Sequence, residues 1–118
     1  MKTDEKKAAR AAYKERKQVA GIFAIRCAPT GEVWVGQTLT LLTIQNRLWF
    51  MLTHGRPESH QEMSTLRAAW SAHGPDSLSF EELERIDDEE ILNSPYVRDT
   101  LLKERLAHWI ATLGAVQI

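Results

Sequence analysis

Glu104 and His108 stand four residues apart in a run of good helix formers, a spacing that turns a carboxylate and an imidazole toward one helical face. Such a pair can reach one metal ion, but no third ligand lies near it in the chain, and two solvated side chains are the plainer reading. His54 and His73 adjoin glycines in turn-like stretches and carry no evident chemistry. The single cysteine, Cys27, can form no internal bridge and has no partner for a cysteine metal site, which suits a reducing cytosol. The chain contains no G-x-x-x-x-G-K-[ST], no G-x-G-x-x-G, no G-x-S-x-G and no H-E-x-x-H. Hydrolysis of nucleoside triphosphates and serine-esterase chemistry are therefore disfavoured. The side chains that remain point to phosphates: Lys6, Lys7, Arg10, Lys14 and Lys17 are the candidates for steering a nucleic-acid backbone.

That basic segment belongs to an almost neutral chain. Fifteen Lys and Arg against sixteen Asp and Glu leave a formal charge of −1 over 118 residues. Residues 1–18 hold seven bases against three acids, net +4, whereas residues 81–104 hold three bases against nine acids, net −6. A basic end on a neutral body can dock on phosphates, and on charge pattern alone a solvated helix face is the commoner origin of such a run. Length and a 43% hydrophobic, 26% charged composition describe one globular domain. No apolar run is long enough for a membrane span, and the lysine-rich start lacks the apolar core of a signal peptide; the expectation is a cytoplasmic protein with no membrane partner.

The elements that must position these residues follow from periodicity. Residues 1–19 are rich in Ala, Lys, Glu and Arg without Gly or Pro, and predict a basic N-terminal helix. Ala20–Cys27 is β-branched and aromatic and predicts a strand; Ala28-Pro-Thr-Gly31 carries turn chemistry; Glu32–Gly36 predicts a second strand, giving an antiparallel hairpin. From about Thr40 the apolar positions step by three or four through Leu41, Ile44, Leu48 and Met51, until Gly55 and Pro57 stop the helix. Ser59 to about Ser71 predicts another helix, with Ser59 and Glu62 at capping-box spacing. Ser77–Phe80 alternates and begins a third strand toward Ile86, although Glu81–Glu84 suits a helix by propensity. Asp87–Glu90 reads as an acidic turn or helix start, and Pro95 opens a last helix over about Tyr96–Leu113, with Gly114 as its C-cap. Residues 20–118 thus form one α/β domain.

Gly21-Ile-Phe23 and Trp34-Val-Gly36 sit on the two adjacent strands and are followed by a helix bearing an arginine and a last helix bearing a glutamate. With Leu66–Gly74, Phe80–Glu84 and Leu102–Ile110, this order of features resembles the GIY-YIG nuclease superfamily from about Gly21 to Ile110. The resemblance implies an α/β fold with a small three-stranded antiparallel sheet flanked by helices, preceded here by the extra N-terminal helix. It also implies hydrolysis of DNA phosphodiester bonds with one Mg²⁺ or Mn²⁺ ion. On that reading Glu104 holds the cation, and Arg47 grips the phosphate with parallel hydrogen bonds.

The departures bear on chemistry. The superfamily usually carries tyrosine where this chain has Phe23 and Trp34. Phenylalanine has no exchangeable proton and an indole N–H only donates, so neither serves as a general base, a loss worth roughly 10²- to 10⁴-fold in rate. His60 lies one residue out of the register in which some relatives place a histidine, and Gln61 takes that position. Two functions follow: a metal-dependent endonuclease using Glu104, Arg47 and His60, or a catalytically degenerate fold that binds nucleic acid or protein. Each candidate also has an ordinary structural reading, with Glu104 solvated, Arg47 extended from an apolar helix, His60 a cap or surface residue, and Phe23 and Trp34 in the hairpin core.

Overall fold

The computed structural model describes residues 18–54 and 64–118. The predicted N-terminal helix, with Lys6, Lys7, Arg10, Lys14 and Lys17, lies outside the described residues, as do His60 and the Ser59–Glu62 capping box.

Strand β1 (Ala20–Cys27) is the spine of the sheet, and all but one of its residues are buried. A half-covered strand would alternate. Here β1 is central and has helices over both faces, so a continuous apolar run is what the position demands. It pairs antiparallel with β2 (Val33–Thr38) through a tight reversal closed by Gly31 N–H to Cys27 O (2.8 Å) and Cys27 N–H to Glu32 O (2.9 Å). Gly31 has φ 74° there, a backbone that side chains disfavour. β2 runs two residues further than the predicted Gly36, because Ile22 and Gly21 continue the ladder to Gln37 and Thr38.

On the other side β1 pairs antiparallel with β3 (Leu78–Ile86), with a register shift between Ile22 and Phe23. The Glu81–Glu84 run is strand throughout, so the hydrogen-bonded edge of β1 overrides local helix propensity. Between β2 and β3 come helices α1 (Ile44–His54) and α2 (Ser64–His73) and a short 3₁₀ turn at Pro75–Ser77. After β3 come α3 (Glu89–Leu92) and α4 (Pro95–Leu113). The Asp88 carboxylate caps α3 by accepting from the N–H groups of Glu90 (2.9 Å) and Ile91 (3.3 Å). Gly114, at φ 62°, terminates α4 in the left-handed conformation.

The sheet departs from the predicted three strands in one respect. Past Gly114 the chain turns back, and β4 (Val116–Gln117) joins β2 in parallel, giving four strands in the order β3-β1-β2-β4. Two residues are too short to show a period in sequence. Among the described residues no helix is long and apolar enough to cross a membrane.

The alternation of β1 sorts the core into two layers. Phe23, Ile25 and Cys27, with Trp34 of β2, pack under Leu48 and Leu52 of α1 and Leu66 and Ala69 of α2. Ala20, Ile22 and Ala24, with Val35, pack on the opposite face against Leu92 of α3 and Leu102 and Leu106 of α4. This two-sided arrangement decides which predicted site residues can meet.

Candidate functional site

The hairpin aromatics share one face of the sheet. Phe23 lies opposite Gly36 and Ile25 opposite Trp34, so Phe23 and Trp34 project into the α1–α2 layer. Both are closed off from solvent, at 3% and 0% exposure. Phe23 stacks on Phe80 (centroids 5.5 Å apart), which meets the edge of Trp49, itself edge-on to Trp70. The Trp34 indole N–H donates to Thr65 Oγ1 at 2.8 Å, tying β2 to the described start of α2.

The same packing explains both triplet glycines. A Cβ on Gly36 would stand 2.6 Å from Cζ of Phe23, and a Cβ on Gly21 would run into the backbone carbonyl of Glu84 on β3. The sequence pattern G-x-F…W-x-G is thus a packing solution for a hairpin whose aromatic ring crosses the neighbouring strand.

Glu104 does not join these aromatics. It lies on α4, which covers the opposite face of the sheet, and α4 turns Leu102 and Leu106 inward. Two residues from each of them, Glu104 is rotated by about 200° away from the sheet and is exposed. Glu104, which the resemblance would bring to one site with the positions of Phe23 and Trp34, is separated from both aromatics by the sheet and its apolar packing. Among the described residues no group of three or more His, Cys, Asp and Glu could hold a metal ion. The Glu104–His108 pair thus remains without a third ligand among them, and an Mg²⁺ or Mn²⁺ ion of the kind the resemblance implies would rest there on the Glu104 carboxylate and water.

Arg47 is exposed on α1, and its Nη1 donates to Thr40 Oγ1 at 2.8 Å. Thr40 and Thr38 hold each other: their hydroxyls are 3.2 Å apart, and the Thr40 N–H donates to Thr38 Oγ1 at 3.0 Å. The arginine is thereby steered to the end of β2.

That end opens into a cleft of about 540 Å³ that sequence reasoning did not find. Gln37, Thr38 and Leu39 form one wall, and Leu102, Lys103 and Leu106 of α4 form the other. Asp99 and Gln117 complete it. The residues were visible in sequence, but β2 and α4 are some 60 positions apart, and only the packing of α4 on the sheet brings them together.

Charge elsewhere on the described surface is largely paired. Arg26 meets Glu81 at 2.8 Å, Arg85 meets Glu82 at 2.7 Å, Arg98 meets Asp99 at 2.9 Å and Arg105 meets Glu84 at 2.8 Å. Hydrogen bonding from Arg85 holds the Glu82 carboxyl below its usual range and, reciprocally, raises Arg85. Glu84 also accepts from the Trp109 indole N–H at 3.1 Å, fastening β3 to α4. Arg47 and Lys103, by contrast, have no acidic partner among the described residues.

No family model matches the chain, and no curated protein does. Among solved structures it is similar to the catalytic domain of homing endonuclease I-TevI, with a TM-score of 0.63 and 23% identity over 84% of this chain and 97% of that one. A mutant of the catalytic domain of intron endonuclease I-TevI aligns with a TM-score of 0.60 and 24% identity, over 81% and 84% of the two chains.

Proposed function

We propose that this chain, whose fold is GIY-YIG-like, is a catalytically degenerate member of that architecture that binds DNA and does not cut it. One observation carries the proposal: Phe23 and Trp34 are sealed in the α1–α2 layer while Glu104 points to solvent beyond the opposite face. Catalysis by positioned groups needs them within a few ångströms of one reacting phosphate. Residues on two sides of a sheet do not satisfy that. Binding makes no such demand.

DNA is the partner that the similarity to endonuclease catalytic domains supports, and charge distribution says where contact begins. The described residues hold seven bases and eleven acids, so the folded body repels phosphate overall, whereas residues 1–18 carry +4. Binding is then expected to weaken with salt, by a slope of about −0.9 in log affinity per phosphate neutralised.

A second reading keeps Glu104 on a divalent cation and Arg47 on the scissile phosphate; it is favoured by the neighbours' being catalytic domains. One experiment separates the two. Fluorescence anisotropy with a labelled duplex, across a salt series in EDTA and in Mg²⁺, is run beside a plasmid-nicking assay on wild type and Glu104→Ala. The binding reading expects salt-sensitive affinity that removal of residues 1–17 weakens, and equal background nicking in both proteins. Mg²⁺-dependent nicking that disappears in Glu104→Ala would establish the endonuclease instead.

A further inference from the structure

We infer that Phe50, on the outer face of α1, is a stacking platform for an unpaired base, and that the DNA this chain prefers has single-stranded character. The inference deepens the DNA-binding reading and rests on it for the identity of the ligand.

The ring stands clear of the core. α1 turns Leu48 and Leu52 inward, and Phe50, two residues from each, is rotated by about 200° from both and is 67% exposed. Its neighbours one helical turn away are Asn46, Arg47, Thr53 and His54, all polar and all exposed. The His54 ring lies against Phe50, with centroids 4.8 Å apart and planes inclined by 51°. Two exposed rings set among polar groups offer a flat face to a planar ligand, with donors and acceptors for its edge. One such pair is too small to hold a stable protein interface, but it is the size of a base.

Charge selects the same face. Among the described residues no acid falls in 33–54 or 64–73, the segments that contain β2, α1 and α2. Nine of the eleven described acids follow Leu78, on β3, α3, α4 and the turns between them. Helices α3 and α4 cover the opposite face of the sheet. A polyanion is therefore repelled from that side and meets no described carboxylate on α1 or α2.

The basic residues also attach on the α1 side. Residues 1–18 join the body at Val19, which is buried in the α1–α2 layer and whose carbonyl accepts from the Leu41 N–H at 2.8 Å. Leu41 precedes the first residue of α1, Ile44, by three positions, and Phe50 lies about 9 Å further along that helix. In an intact duplex the faces of the bases cover one another, so the ring serves a base that has left the stack.

The test compares wild type, Phe50→Ala, Phe50→Leu and Phe50→Trp as full chains in EDTA. Anisotropy is measured across a salt series with a single-stranded oligonucleotide carrying 2-aminopurine and with a blunt duplex. Phe50→Ala should weaken single-strand binding roughly tenfold and lose the quenching of 2-aminopurine. Its duplex affinity should stay within about twofold of wild type, and its salt slope should not change, because no phosphate contact is removed. Phe50→Leu keeps an apolar side chain without a flat face and should behave as Phe50→Ala, whereas Phe50→Trp should restore both signals. Melting temperatures within about 2 °C of wild type, as expected for an exposed side chain, keep folding out of the comparison. Equal single-strand affinity and quenching in wild type and Phe50→Ala, with duplex binding intact, would overturn the platform and leave the DNA-binding reading standing. A wild type that binds neither DNA would remove that reading and the platform with it. Self-association that Phe50→Ala abolishes, with DNA affinity unchanged, would overturn the platform and assign the ring to a contact between copies of this chain.

Discussion

Replacing Trp34 by phenylalanine tests the packing on which the functional reading depends. The indole is fully buried beneath α2, and its N–H donates to Thr65 Oγ1 at 2.8 Å. Losing a neutral hydrogen bond of this kind costs about 1 kcal/mol. The smaller ring also leaves a void next to Ile25 and Leu66, which partial relaxation of the core leaves costing roughly 1–2 kcal/mol more. Trp34→Phe should therefore destabilise the domain by about 2–3 kcal/mol, a large part of a typical stability. In urea this appears as a midpoint lowered by roughly 2 M at unchanged slope, for a slope near 1–1.5 kcal/mol/M. Thr65 is exposed, so water can replace the indole as its partner, and Thr65→Ala alone should cost no more than about 1 kcal/mol. In Trp34→Phe/Thr65→Ala the two losses should fall short of additivity by about 1 kcal/mol, the coupling of the pair. A cost below about 0.5 kcal/mol for Trp34→Phe, together with no coupling, would refute the reasoning. The indole would then not be held in the core, and an aromatic facing an open hollow would return the nuclease reading to favour.

Gly36→Ala should destabilise by about 1–3 kcal/mol, because its Cβ would press on the Phe23 ring; in a Phe23→Leu background the same change should cost clearly less, and equal costs would show that the ring is not the obstacle. Glu84→Gln should lower the melting temperature by roughly 4 °C, corresponding to about 1 kcal/mol for the weakened contacts to Arg105 and Trp109 of α4, with faster amide exchange along that helix. An unchanged melting curve would mean that the half-exposed carboxylate is replaced by water at no cost.

Local signals carried much of this fold. β1 is bounded in sequence as it is in space, because an apolar β-branched run between a polar helix former and Pro29-Thr-Gly31 has few other conformations open to it. Helix α4 follows as directly, from Pro95 at its first turn, its apolar positions and the Gly114 cap. Where tertiary pairing decides, local chemistry misleads: Glu81–Glu84 is strand because β1 offers an edge, and β4 exists because the chain after Gly114 falls beside β2.

The candidate site divides along the same line. Residue types alone determined that Phe23 and Trp34 cannot act as bases, and the spacing of the two triplets placed them on one hairpin. That Gly36 must be glycine is a matter of the Phe23 ring above it, which no spacing reveals. The apolar period of α4 turns Leu102 and Leu106 inward and Glu104 to water, but it does not tell which face of the sheet the helix covers. The packing of the whole chain decides that, and it sets Lys103 into the wall of a cleft beside the end of β2. The sequence determined the elements and the chemistry each side chain is capable of; the tertiary structure alone decided which side chains meet, because the burial of apolar faces on the two sides of one sheet is a property of the whole chain.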